Sequence, residues 1–259
     1  MQQRTKMKFL FIFLALPLLS YTQADKENFK SAKTGDVYEL TIRKPRSFDS
    51  TKFYNLVFFT DATINSGKTI LSQPEETIKN CILIGIGHLG DWHIKRQRDF
   101  IPSDVGGYSN KDFGQASKFF SFMKEELIPF VNRKFKRQKS RAFIGHSFGG
   151  LLALYMSLRE NNLFDYYFAI SPSVWASNYE LLKIEKKYAE TTKNYRSNLF
   201  LYAGSLEFLN KVLSSSKKFY HVVTARKYAG ITITHSVISG VNHYGIVPKV
   251  LPGIFKQIT

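Results

Sequence analysis

From Val37 onward, short runs of valine, isoleucine and aromatic residues alternate with longer segments in which apolar residues recur every three or four positions. The short runs predict strands over residues 37–43, 53–60, 82–87, 141–145, 166–171, 199–203 and 232–238. Between the third and fourth of these, Ala116, Phe119, Phe120, Met123, Leu127 and Val131 draw one apolar stripe along a helix that packs on the sheet. Residues 151–159 contain no breaker and are apolar nearly all round, as a helix buried behind the fourth strand would be. Residues 179–189 read as a surface helix with Lys183, Glu185, Lys186 and Lys187 outward. Strands alternating with helices in this way predict an α/β architecture, a mostly parallel central sheet flanked by helices. No internal repeat, low-complexity tract or long linker divides the chain, so residues 25–259 read as one domain.

Residues 1–24 stand outside that pattern. Arg4, Lys6 and Lys8 form a basic start, an apolar run over 9–19 is broken only by Pro17, and Ser20, Thr22 and Ala24 supply small or polar residues. This is the layout of a secretory signal peptide, with cleavage after Thr22 or Ala24 and a secreted or periplasmic product. The run is shorter than the roughly 20 apolar residues of a spanning helix, so no transmembrane span is expected after cleavage; an uncleaved amphipathic anchor is the alternative. The absence of a cysteine near its end argues against lipidation.

With 44% apolar and 15% aromatic residues, the chain has material for a full core. Its single cysteine, Cys81, excludes an intramolecular disulfide and a cysteine-based zinc site. The formal charge is +17, and +14 without the leader, a balance suited to anionic surfaces or substrates. The densest basic stretch, residues 133–141, reads as a solvated connection; no recognition motif accompanies it, and nucleic-acid binding is not expected.

The strongest chemical signal is Gly145-His146-Ser147-Phe148-Gly149-Gly150, a G-x-S-x-G nucleophile elbow between a predicted strand and a predicted helix. The turn requires glycines because side chains two residues either side of the serine would collide with the neighbouring strand and helix. Phe148, opening the helix, offers its amide to an oxyanion. A serine hydroxyl needs a base, and in this fold the partners follow in the order acid, then histidine. Glu207, beyond the 199–203 strand, is the only acid between Glu190 and the carboxyl terminus, and His243 lies in the loop after the last strand. His235 falls inside that strand, His221 in a helical stretch, and His146 is expected to point away from the serine; His88 and His93 precede it in the chain. The second oxyanion amide is assigned to Ala62, after the 53–60 strand. Lys95, Arg96 and Arg98 are read as lying in a loop near the cleft.

Together with Gly85-Ile86-Gly87, Arg98-Asp99-Phe100-Ile101-Pro102, Glu126-Leu127-Ile128-Pro129-Phe130, Phe164-Asp165, Ile170-Ser171-Pro172-Ser173-Val174-Trp175 and Asn242-His243, the elbow resembles a family of esterases in the α/β-hydrolase superfamily, related to enterobactin-type siderophore esterases. The resemblance spans residues 37–251 and implies an α/β-hydrolase with little or no lid. It places Ser147, Glu207 and His243 on the triad. It implies that Arg98 either meets an anionic substrate or forms an ion pair that pins its loop. Apart from the resemblance, His88 and His93 are both read as able to line the cleft, and His88 and Trp175 are assigned as substrate contacts. The family's aspartate-glycine reads Asp61-Ala62 here, which puts the backbone at that loop in question. The implied activity is carboxylic-ester hydrolysis through an acyl-enzyme, on a small-molecule ester, with no cofactor or metal. A siderophore trilactone is the leading substrate, and a glycan acyl or feruloyl ester, acyl transfer to a hydroxyl, or a non-catalytic binding role are the alternatives.

Overall fold

The computed structural model describes residues 24–102, 113–207 and 211–258. All but the last residue of the leader segment lies outside them. Among the described residues, eight strands form one sheet in the order β1-β2-β4-β3-β5-β6-β7-β8. They are β1 (Asp25–Lys30), β2 (Val37–Arg43), β3 (Tyr54–Thr60), β4 (Cys81–His88), β5 (Gln138–His146), β6 (Tyr166–Ile170), β7 (Asn198–Gly204) and β8 (Thr232–Ile238). β1 and β2 run antiparallel to their neighbours and the rest are parallel.

The central strands are buried on both faces, which is why β3 and β4 read as unbroken apolar runs. Alternation still decides which layer each residue joins. Leu56 and Phe58 face helices α3 (Trp92–Phe100), α4 (Ala116–Ser121), α5 (Ile128–Lys134) and α6 (Phe148–Arg159). Val57 and Phe59 face α1 (Asn65–Leu71), α2 (Glu75–Ile78) and α9 (Ile246–Ile258). The remaining helices, α7 (Ala176–Thr191) and α8 (Val212–Arg226), join the first layer. Cys81 is buried on the second face, where desolvation pushes its thiol up to about 12, out of the range of a reactive thiolate.

All six residues of the predicted stripe, from Ala116 to Val131, are buried. The helix carrying them is not uniform: α4 passes into α5 through a π-helical turn over Phe122–Leu127, just before Pro129, which has no N–H to continue an α-helical ladder. The basic stretch is only partly a connection, since Arg133 and Lys134 end α5 and Gln138 already starts β5. Lys95, Arg96 and Arg98 lie on α3 and not in a loop.

Glu185 departs from the reading of α7. Lys183, Lys186 and Lys187 are exposed, but Glu185 is fully buried. It accepts two hydrogen bonds from Arg226 at 3.0 Å and one from Tyr228 at 2.9 Å. Arg226 is itself exposed, but removing it strands a buried carboxylate, which is more damaging than removing both groups. Arg226→Met is therefore expected to cost on the order of 2 kcal/mol, a fall of about 4–8 °C in Tm. The double variant Glu185→Leu/Arg226→Met should recover most of that loss; a thermal melt of the three proteins checks both.

Candidate active site

The parallel strands β3, β5, β6, β7 and β8 end at one edge of the sheet, and the loops leaving that edge meet. β5 leads into Ser147, whose backbone sits at φ 62° and ψ −118°, a region that non-glycine residues occupy only when their surroundings impose it. The imposition is visible. The Ser147 amide donates to the Ile170 carbonyl at 2.9 Å, and its carbonyl accepts from Leu151 at 3.0 Å and from Ser173 at 3.2 Å. A Cβ on Gly145 would lie 2.0 Å from the Gly149 carbonyl oxygen, and one on Gly149 would lie 2.4 Å from Thr60 Oγ1. Helix α6 starts at Phe148 with its first amide unengaged by the helix, at the positive end of the helix dipole.

Glu207 and His243 arrive from the loops after β7 and β8. These loops are stitched together: Ser205 N donates to the Ile238 carbonyl at 2.9 Å, Leu206 N to the Val241 carbonyl at 3.1 Å, and Gly240 N to Ser205 Oγ at 2.9 Å. Gly204 is what lets them close, since a Cβ there would lie 2.1 Å from the Val241 oxygen. His243 Nδ1 lies 2.5 Å from Glu207 Oε1. Glu207 Oε2 accepts from Ser171 Oγ at 2.8 Å and from the Gly204 amide at 2.5 Å. Burial alone would raise the carboxyl pKa, but the hydrogen bonds from His243, Gly204 and Ser171 hold it below the ordinary glutamate value. Asn242 shapes the histidine loop by accepting from the amides of Tyr244 at 3.2 Å and Gly245 at 2.9 Å.

Ser147 and His243 share one cavity of about 570 Å³, a size suited to a small-molecule ligand. Its walls include Thr63, Lys68, Trp92, His93, Arg96, His146 and Tyr244. Among the described residues the Ser147 hydroxyl has Ser173 Oγ as its hydrogen-bond partner, at 3.4 Å, and makes no bond to His243. Links of this kind commonly tighten only around a substrate. Among the described residues no group of three or more His, Cys, Asp or Glu side chains could hold a metal ion, and no helix is long and apolar enough to cross a membrane.

Several predicted roles fall elsewhere. His146, expected to point away from the serine, lies on the cavity lining against His243: its Nε2 donates to the His243 carbonyl at 2.8 Å and the two rings lie 4.6 Å apart. The Ala62 amide already donates to the Ile86 carbonyl at 3.2 Å, so it is spent on the sheet and not offered to an oxyanion. The next amide, that of Thr63, has no acceptor among the described residues, and Thr63 lines the cavity. His88 is buried with its Nε2 2.9 Å from Asp99 Oδ2, in a cluster completed by Tyr38 and Arg98, and does not reach the cavity. Arg98 donates to Asp99 at 2.7 Å and to Asp36 at 2.8 Å, the ion-pair alternative. Trp175 packs beside the Phe148 ring, 6.4 Å between centroids, outside the cavity lining. Ser171, Ser173 and Thr63 carry no signature of a role in the sequence beyond the place of Ser171 and Ser173 in the Ile170–Trp175 motif.

Known proteins share this arrangement of sequence and fold. The Putative esterase family model matches residues 31–216. The chain is 29% identical over 233 residues to the ferri-bacillibactin esterase BesA of Bacillus subtilis, covering 82% of this chain and 81% of that one. It is 32% identical over 116 residues to the siderophore triacetylfusarinine C esterase of Aspergillus fumigatus, covering 43% and 40% of the two chains. The crystal structure of the BES protein from Bacillus cereus shares the fold with a TM-score of 0.76 at 22% identity, over 99% of both chains. With an α/β-hydrolase sheet beneath a G-x-S-x-G elbow and a family match over most of its length, the chain belongs to the Putative esterase family and is an ester-hydrolysing enzyme.

Proposed function

We propose that this protein is a serine esterase acting through an acyl-enzyme. Ser147 Oγ turns from Ser173 toward His243 and attacks the ester carbonyl as Nε2 takes its proton. Glu207 holds the imidazole in the tautomer that leaves Nε2 free and stabilises the imidazolium. The amides of Phe148 and Thr63 receive the oxyanion. Collapse expels the alcohol, protonated by His243, and water, activated by the same base, releases the acid. The observation that carries this reading is the 2.5 Å contact between His243 Nδ1 and Glu207 Oε1 on the wall of a cavity that also holds Ser147.

The substrate we favour is a siderophore ester. Both relatives above are named for esterase action on such molecules, ferri-bacillibactin in one and triacetylfusarinine C in the other. The cavity chemistry agrees with an anionic ligand: among the described residues Lys68 is on its lining and no carboxylate is. The basic and apolar pattern of residues 1–24 supports export.

His146 contributes by remaining uncharged. Burial and the neighbouring His243 push its pKa down to about 4, against a hydrogen bond to the His243 carbonyl that favours the proton. A second imidazolium 4.6 Å from His243 would oppose the charge that develops there during attack.

Ser147→Ala is expected to abolish labelling by a fluorophosphonate and to lower kcat by on the order of 10⁴ or more. Labelling that survives at full strength removes Ser147 from the chemistry. Turnover of a catecholate trilactone, compared with a feruloylated glycan ester, tests the substrate class, and preference for the glycan ester would overturn it. Stability depends on pH through the same histidine. Unfolded His146 takes up a proton near its ordinary value of 6.5 whereas the folded protein resists protonation until about 4. The unfolded state therefore binds more protons in that window, and wild-type stability falls with pH through it. His146→Asn should lack this term, so its stability difference from wild type shrinks between about pH 6.5 and pH 4 in urea titrations.

A further inference from the structure

Arg96 lines the cavity, yet its guanidinium is already committed. Nε donates to Asp61 Oδ1 at 2.6 Å and Nη2 to Asp61 Oδ2 at 2.9 Å, the two parallel bonds of a fork on a carboxylate. The same Nη2 lies 3.4 Å from the His146 carbonyl. The guanidinium also lies over the rings of Trp92, Phe100 and Phe148, at 5.9, 5.5 and 5.8 Å. One side chain thus touches the loop after β3 through Asp61 and the elbow through His146 and Phe148.

Those two segments carry the two candidate oxyanion donors. Asp61 is the residue that turns the loop, at φ 67°, and only 2% of it is exposed. Its carbonyl accepts from Ile64 at 3.0 Å, and helix α1 presses on it where Gly67 lacks a Cβ, the missing atom falling 2.2 Å from the Asp61 oxygen. A non-glycine residue keeps a left-handed backbone only where several contacts determine it, and the Arg96 fork is the contact that fixes its side chain. The direction of the Thr63 amide two residues on, and its separation from the Phe148 amide, follow from how that turn is held.

We infer that Arg96 is a positioning residue for the oxyanion hole, locking the Asp61 turn against the elbow so that the Thr63 and Phe148 amides converge, and is not a ligand of the substrate's charge. The inference rests on the serine-esterase reading above.

The experiment compares Arg96→Gln, Arg96→Lys and Asp61→Asn with wild type on a neutral short-chain ester and an anionic ester, together with inhibition by an alkyl boronic acid and by a product carboxylate. Loss of one aligned oxyanion donor lowers kcat by about 10²–10³-fold. Arg96→Gln should show a fall of that order on both esters with KM within about twofold, while Arg96→Lys, which keeps one cationic donor, loses less. Boronate affinity should fall in proportion to kcat/KM across the three variants while affinity for the carboxylate product holds, a pattern that a merely structural defect would not give. A rise in KM confined to the anionic ester would make Arg96 a substrate ligand and overturn the inference, as would unchanged kcat in Arg96→Gln. If Arg96→Gln does not fold by circular dichroism, Asp61→Asn, which preserves shape and removes the charge, carries the same expectations. If Ser147→Ala retains full hydrolysis, it is the serine reading that fails; if it does not and the Arg96 variants keep their kcat, only this inference does.

Discussion

The contact on which the site depends is backbone against backbone. The first turn of α6 lies so close to β5 that a Cβ on Gly145 would fall 2.0 Å from the Gly149 oxygen, and so close to β3 that one on Gly149 would fall 2.4 Å from Thr60. Packing of that kind leaves the chain a single residue in which to reverse from strand to helix, and Ser147 takes the strain at φ 62°. The serine is thereby lifted off the sheet edge with the Phe148 amide, unengaged by the helix, beside it. Gly204 repeats the device, bringing the ends of β7 and β8 together so that Glu207 meets His243. The placement of Ser147, Glu207 and His243 is set by missing side chains as much as by those present.

The buried carboxylates show how a chain with 37 basic and 20 acidic residues distributes its charge. Asp61, Asp99, Glu185 and Glu207 are all nearly or fully buried, and each has a cationic or hydrogen-bonding partner within 3.0 Å. A buried carboxylate without such partners would protonate or unfold the region around it. Pairing the acids inward leaves the surplus of positive charge on the surface and at the cavity, where Lys68 is exposed. Basicity in this protein is thus an outward-facing property, available to an anionic ligand.

Sequence reading succeeded where the determinant is local and faltered where it lies across the fold. Seven strands were legible because burial on one or both faces writes apolar residues into consecutive or alternating positions. β1, Asp-Lys-Glu-Asn-Phe-Lys, was not, because an edge strand with charged side chains carries the signature of a loop. Glu185 looked like one more charge on an exposed helix, since the residues that bury it, Arg226 and Tyr228, are 41 and 43 positions away. The α3 cations show a third kind of miss. Read as a loop, Lys95, Arg96 and Arg98 are equivalent; on a helix, Lys95 and Arg98 share one face and both reach Asp36, while Arg96 shares the other with Trp92 and Phe100 and faces the elbow. Which of the three cations faces the elbow was therefore distinguishable only once the period of the segment was known.

The Asp61-Ala62 pair, where a glycine is usual at the second position, answers a question that the sequence alone left open. The left-handed residue of this turn is Asp61, and Ala62 does not share that conformation, so the alanine incurs no backbone strain by replacing glycine. Its methyl has room because Gly85 beneath it has no side chain; a Cβ there would lie 2.8 Å from the Ala62 Cβ. The Ala62 amide continues the hydrogen bonding to β4, which passes the task of facing the cavity to Thr63. The strained position of the turn is a residue with a carboxylate, and that carboxylate is the handle by which Arg96 grips the turn.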